Sequence, residues 1–305
     1  MSLLIVGVIA FDHIETPFGK SEKMLGGPVT FSALAASHFN IKIDVISVVG
    51  GDFGDQNLQL LNNQNISTKN IMVYPDEKTF FWAGKYHNDM NSRDTLATDL
   101  NVYQNYTPTV SKELNPTILL LGNDHPKNQL EVINQLTNRP KLIVLDTMNY
   151  WMDNFWDELI HVINEVDIIT INDSEARQLS GEYSLVKAAK KILQMGPQFL
   201  IIKKGEHGAL LFSKEEVFFA PALPLEEVFD PTGAGDTFAG GFVGYLTKTQ
   251  DFSFENLKRA VIYGSAMASF CVEKFGPERL FELNKDSFNR RIKAFERLTN
   301  YQIKI

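Results

Sequence analysis

The chain has 305 residues, 44% of them hydrophobic, enough to bury the core of one large domain and with no sign of a second. A formal net charge of −8 at pH 7 argues against a protein built to bind nucleic-acid backbones, and any nucleotide would have to be held by local amides and a metal. Six scattered histidines and one cysteine, Cys271, provide neither a zinc set nor an intramolecular disulfide, and point to a buried thiol in a cytoplasmic protein.

Residues 3–11 are apolar but carry no basic leader and end at Asp12, well short of a membrane span, so they predict a buried first strand. Residues 27–39 predict a helix of small apolar residues and 43–49 a strand. Gly50-Gly51-Asp52-Phe53-Gly54 then makes a turn before a helix over 56–63. The segments 117–122, 142–146, 168–172 and 199–203 are short, continuous and rich in branched residues, as strands buried on both faces are. Helical patterns at 128–136, 153–164, 173–179 and 184–195 fall between them. This alternation predicts a doubly wound α/β fold, a mostly parallel sheet flanked by helices. Residues 78–101 break the pattern with Thr79-Phe-Phe-Trp-Ala-Gly-Lys-Tyr86, followed by the polar residues Asn88, Asp89, Asn91, Arg93 and Asp94. An aromatic antiparallel insertion must bury its inner face on the core or on a ligand, which predicts an edge hairpin or a small β lid.

The most informative segment is Asp230-Pro-Thr-Gly-Ala-Gly-Asp-Thr-Phe-Ala-Gly-Gly241. Gly233 and Gly235 permit a turn in which the amides of Gly233, Ala234, Gly235 and Asp236 converge at a helix N-terminus, an anion hole. Asp236 beside that hole is placed to take a proton from an attacking hydroxyl, which is the chemistry of phosphoryl transfer to an alcohol. No Gly-x-x-x-x-Gly-Lys-Ser/Thr occurs, and Phe238 stands where a dinucleotide fingerprint needs its third glycine. Asp12 is the candidate to hold substrate hydroxyls, since a carboxylate accepts two hydrogen bonds from a vicinal diol. Asn172 and Glu175, at i and i+3 across a strand-to-helix junction, read either as a phosphate and magnesium pair or as a capping box.

The segment around Asp236 resembles the C-terminal signature of the PfkB carbohydrate kinase family, the ribokinase-like sugar and nucleoside kinases. Gly26-Gly27-Pro-Val-Thr-Phe-Ser-Ala33 and Asn172-Asp-Ser-Glu175 are similar to two further motifs of that family, in the same order. The resemblance implies one ribokinase-like domain over 1–305, with lid insertions at about 12–26 and 76–107. It implies an ATP-dependent kinase using Mg2+, with K+ as a further ion, and a homodimer formed through the lid. It assigns Asp12, Gly26 and Gly27 to the substrate, and Asn172 and Glu175 to magnesium through water. Lys203, Gly205 and Gly208 go to the nucleotide, and Asp230 and Thr232 to a monovalent cation. Phe31 replaces the family's asparagine, which implies an apolar or stacking surface for the substrate, and Pro28 replaces a lysine. Asp146-Thr-Met-Asn149 lacks the arginine that follows in the family, and Arg93 is a candidate replacement. The expected function is phosphorylation of a small sugar. A nucleoside kinase using Phe11, Phe31, Phe80, Phe81 and Trp82 as stacking faces is one alternative, and a catalytically idle binding protein the other.

Overall fold

The computed structural model describes residues 1–299, so residues 300–305 of the expected domain lie outside the described part. The chain opens with β1 (Ser2–Val6), then β2 (Ala10–Thr16), β3 (Gly19–Gly26), α1 (Pro28–Ser37), β4 (Lys42–Gly50), α2 (Gly54–Asn63) and β5 (Ile66–Tyr74). A hairpin of β6 (Phe80–Tyr86) and β7 (Arg93–Asp99) follows. The chain then alternates through β8 (Ile118–Leu121), α3 (Pro126–Gln135), β9 (Leu142–Asp146), α4 (Asn149–Asn154), α5 (Trp156–Glu165), β10 (Ile168–Asn172), α6 (Asp173–Ser180), α7 (Leu185–Leu193) and β11 (Phe199–Lys203). It ends with β12 (Ala209–Phe212), β13 (Val217–Ala220), α8 (Ala234–Thr249), α9 (Phe254–Cys271), α10 (Glu278–Glu282) and α11 (Lys285–Thr299).

Nine strands form one sheet in the order β13-β12-β11-β10-β9-β8-β1-β4-β5. It is parallel from β11 to β5, with β12 and β13 added antiparallel at one edge. Successive side chains of a strand point to opposite faces, and β1 shows the result. Leu3 and Ile5 join the core under α1, α8 and α9. Leu4 and Val6 join the core under α3, α5, α6 and α7. The doubly wound α/β architecture thus follows from strands apolar on both faces.

The remaining four strands form a second, smaller sheet in the order β3-β2-β6-β7. Here the structure corrects the sequence reading: residues 3–11 are not one strand. The Ser47 hydroxyl donates to Gly7 O at 2.7 Å and accepts from Ile9 N at 3.1 Å, bending the chain out of the large sheet after Val6. Ala10 already belongs to the small sheet, so Asp12 lies within a lid strand and not in a turn after β1. The second entry into the small sheet is pinned at Thr79. Its N–H and hydroxyl both donate to Asp52 Oδ1, at 2.7 and 2.8 Å. Strand β5 escaped the sequence reading because it is a largely exposed edge strand without apolar alternation.

Helix α8 approaches α1 more closely than side chains would allow. A methyl on Gly240 would stand 2.1 Å from Ser32 O, and one on Gly244 would stand 2.6 Å from the Phe39 ring. Alanine favours a helix interior over glycine by about 1 kcal/mol, but a contact of that length with a backbone carbonyl forces the helices apart. Gly240→Ala should therefore lower unfolding free energy by about 1–3 kcal/mol in urea denaturation, the net sign being set by overpacking.

Candidate active site

The carboxyl ends of β9, β10 and β11 and the N-terminus of α8 meet beneath the small sheet. Gly233 caps α8 with φ of 73°, the left-handed region that glycine enters without a Cβ penalty. A side chain there is excluded in any case, since a Cβ would fall 2.4 Å from the Phe31 ring. This corrects the role expected of Phe31. It is 1% exposed and forms the floor under the glycine turn, so it offers no free face to a substrate.

The turn engages one of the four expected amides itself, Ala234 N donating to Pro231 O at 3.2 Å, and the amide of Asp236 acts on its own carboxyl, lowering its proton affinity. Gly233 and Gly235 keep their N–H groups for an anion; among the described residues neither is bonded elsewhere. The turn is braced from below, where Asp230 accepts from Thr232 N and Gly276 N, each at 2.9 Å, and is fully buried. Cys271, also buried, donates from Sγ to Thr232 O.

Lys203, at the end of β11, extends across β10 to Asp146 at the end of β9, with Nζ 2.8 Å from Oδ2. A Cβ on Gly235 would lie 3.1 Å from the same Nζ, so the lysine sits at the mouth of the anion hole. Burial alone would lower its pKa, but the charges of Asp146 and Glu175 overcome this and raise it. Asp236 moves upward because burial disfavours its charge and Asp146 adds to the effect, against Lys203 and Arg93. Glu175 rises to about 7, again through burial, opposed by Lys203.

Asn172 and Glu175 form a complete capping box for α6. Asn172 Oδ1 accepts from Glu175 N at 2.8 Å, and Glu175 Oε2 accepts from Asn172 N at 2.7 Å. The Asn172 oxygen is thereby committed, and any contact it makes with a phosphate goes through its NH2 group. Glu175 retains a second oxygen, and the charges of Lys203 and Arg93 act on its carboxyl. Among the described residues no cluster of three carboxylate, histidine or cysteine side chains could hold a metal directly. A magnesium ion that keeps its waters and binds mainly to phosphates would fit such a site.

Asp12 enters from the small sheet. Its carboxyl lies where a side chain on Gly26 would be, with Oδ2 2.0 Å from a built Cβ, and the Gly27 amide lowers its proton affinity. Gly26 makes room for this carboxyl. Gly27 instead makes room for backbone, since its Cβ would meet Val8 O at 2.6 Å. Neither glycine simply opens toward a substrate. Burial raises Asp12 to about 8, and the charge of Asp230 adds to the effect. Trp82 pairs with Asp12 in register across β2 and β6, so both project from one face, together with Tyr86 further along β6. Trp82 was read from the sequence only as one of five aromatics; the others are Phe11 and Phe31, which are buried in the core, and Phe80 and Phe81, which pack on it. Gly205, exposed at a short 3-10 turn, borders the cleft. Gly208 does not: it is buried with a Cβ position 2.1 Å from Ala220 O, so its role is to close the turn onto β13.

A carboxylate whose pKa is raised on folding stabilises the protein only while protonated. The contribution of Asp12 is full below its ordinary value of 3.8 and is lost as pH rises through about 8. Asp12→Asn should therefore unfold at higher urea than the unsubstituted protein at alkaline pH. The gap should narrow steadily on acidification toward about pH 4.

Comparison with known proteins agrees with this geometry. Residues 17–282 match the pfkB family carbohydrate kinase. The chain is 27% identical over 281 residues to a cytidine kinase of Thermococcus kodakarensis, covering 90% of this chain and 98% of that one. It is 26% identical to a ribokinase of Haemophilus influenzae, covering 91% and 94%. Among solved structures, the nucleoside kinase of Burkholderia thailandensis in complex with inosine superposes with a TM-score of 0.78 at 20% identity, covering 98% of this chain and 99% of that one. A putative ribokinase II from Escherichia coli in complex with ATP and Mg2+ gives 0.76 at 22% identity, covering 97% and 99%. The match over most of the chain, with the glycine turn and Asp236 in place, establishes that this protein belongs to the pfkB family of carbohydrate kinases.

Proposed function

We propose that this kinase transfers the terminal phosphoryl group of ATP to a hydroxyl of a small sugar or sugar-like acceptor, with Asp236 as general base. The reading is carried by one juxtaposition: Asp236, the N–H groups of Gly233 and Gly235, and Lys203 Nζ converge at the start of α8. As the acceptor oxygen bonds to phosphorus, its proton passes to Asp236, whose raised affinity suits the transfer. The two amides and Lys203 meet the charge developing on the phosphoryl oxygens in a site already organised to receive it. Asp12 holds acceptor hydroxyls from the opposite side. Magnesium, held through water by Glu175, would offset the triphosphate charge and orient it. Lys203 and the turn at Gly205 border the nucleotide.

A second reading, a nucleoside as acceptor, is favoured by Trp82, which offers an aromatic face beside Asp12. The cytidine kinase among the relatives agrees with it. A nucleoside should then quench or shift Trp82 emission on binding, whereas a free sugar leaves it unchanged. We also place a monovalent cation at the Asp230–Thr232 turn. Asp230 is buried, accepts from the Thr232 and Gly276 amides, and forms no ion pair among the described residues, so K+ there would supply the missing charge. A homodimer through the outer face of the small sheet, where Leu96 is 53% exposed, and a cytoplasmic location complete the proposal.

Coupled ADP release with MgATP against sugars, polyols, sugar acids and nucleosides tests this reading. Asp236→Asn should reduce kcat by about 10²–10⁴-fold on every accepted substrate while nucleotide affinity persists. Unchanged turnover would remove Asp236 from the base role, and binding without turnover in the unsubstituted protein would favour an idle scaffold. Replacing K+ by tetramethylammonium should lower the rate severalfold; equal rates would exclude the cation site.

A further inference from the structure

We propose that Arg93, carried by the β6–β7 hairpin, grips the transferring phosphoryl group, and that this hairpin straps the phosphate path from the nucleotide turn to the anion hole. The proposal rests on the kinase reading above and adds a catalytic residue to it.

Three contacts fix where the hairpin lies. At one side the Tyr86 hydroxyl accepts from Thr232 Oγ1 at 3.2 Å, tying β6 to the turn that forms the anion hole. At the tip, Asn91 Oδ1 lies so close to Gly205 that a Cβ there would stand 3.0 Å away, which ties the loop to the nucleotide-side turn. Arg93 sits between these anchors, as the cross-strand partner of Tyr86 and two residues beyond Asn91. The tip is itself held in shape: Asp89 accepts from Asn91 N at 3.1 Å, from Ser92 N at 2.9 Å and from Ser92 Oγ at 2.6 Å.

The guanidinium is presented for use. Its centre lies 5.6 Å from the Trp82 ring, a planar cation over an aromatic face, and among the described residues Arg93 forms no ion pair. The acidic groups that feel its charge are those of the cleft: it opposes the upward shifts of Asp236 and Glu175. Lys203 is fixed from the sheet side by Asp146 and reaches the anion hole from below. Arg93 lies on the lid side, beside the Tyr86 that bonds to the same turn, and carries five donors in a fork that matches two phosphoryl oxygens at once. In the transfer, the acceptor oxygen bonds to the terminal phosphorus, and the bond to the bridging oxygen of the departing ADP breaks. The acceptor proton moves to Asp236, and Arg93 donates to the non-bridging oxygens throughout.

Arg93→Gln and Arg93→Lys test the proposal. Both should lose about 10²–10³-fold in kcat, with acceptor KM changed by no more than about threefold and an unaltered melting temperature. Guanidinium chloride added to Arg93→Ala should restore part of the rate. A second measurement needs no acceptor: MgADP with aluminium fluoride should raise the melting temperature of the unsubstituted protein beyond MgADP alone, and Arg93→Gln should lose that increment while keeping the MgADP effect. A variant that turns over at the original rate, or keeps the aluminium fluoride increment, would overturn the role of Arg93 and leave the kinase reading standing. If the unsubstituted protein showed neither turnover nor MgADP binding, the kinase reading would fall and take this proposal with it.

Discussion

The site depends on one electrostatic constraint: Asp146, Glu175, Asp230 and Asp236 are gathered under one small sheet that itself contributes Asp12, and among the described residues one lysine, Lys203, is buried with them. Water cannot solvate this charge, so the carboxylates either bind protons more tightly than usual or need cations. Lys203 relieves the core of the cluster by pairing with Asp146 and acting on Glu175 and Asp236. Such a cluster is costly to bury, and its worth is functional. Burial and the neighbouring Asp146 charge raise the proton affinity of Asp236, and Lys203 and Arg93 oppose them.

The fold supplies the geometry that holds these charges. Parallel strands deliver Asp146, Asn172 and Lys203 to one edge, since adjacent strands in register end side by side. The glycine turn before α8 brings two unbonded amides to the same edge. The α1–α8 contact, closed by glycines, seats that turn on Phe31. The small sheet then covers the edge, with Asp12 and Trp82 from its inner strands and the β6–β7 hairpin reaching both glycine turns. In the proposed reading, acceptor, phosphoryl and nucleotide positions are separated by element: small sheet, α8 N-terminus, and β10–β11 rim.

Some features were legible before any coordinates. The branched apolar runs at 142–146, 168–172 and 199–203 coincide with β9, β10 and β11, because a strand buried on both faces must be apolar at every position. The Asn172–Glu175 pair was readable as a capping box because its spacing is set by one helical turn. Where the sequence misled, a non-local contact was responsible. Ser47, far from Gly7 in the chain, ends β1, and Gly233 turns Phe31 from a candidate substrate surface into a floor. Gly208 answers to the backbone of β13 and not to a nucleotide. The importance of Asp146 as the anchor of Lys203 could not be read, since nothing local links residues 57 positions apart.

The sequence by itself determined the α/β class, most strands of the parallel sheet, the glycine turn and the carboxylate that follows it. These depend on periodicity, backbone freedom and the order of a few neighbouring residues, all local properties. Only the tertiary structure decided which amides of that turn remain available, which carboxylate holds Lys203, and that Trp82 stands beside Asp12 with Arg93 over its ring. Those depend on register between strands and on desolvation by distant segments, which the chain acquires only when it folds.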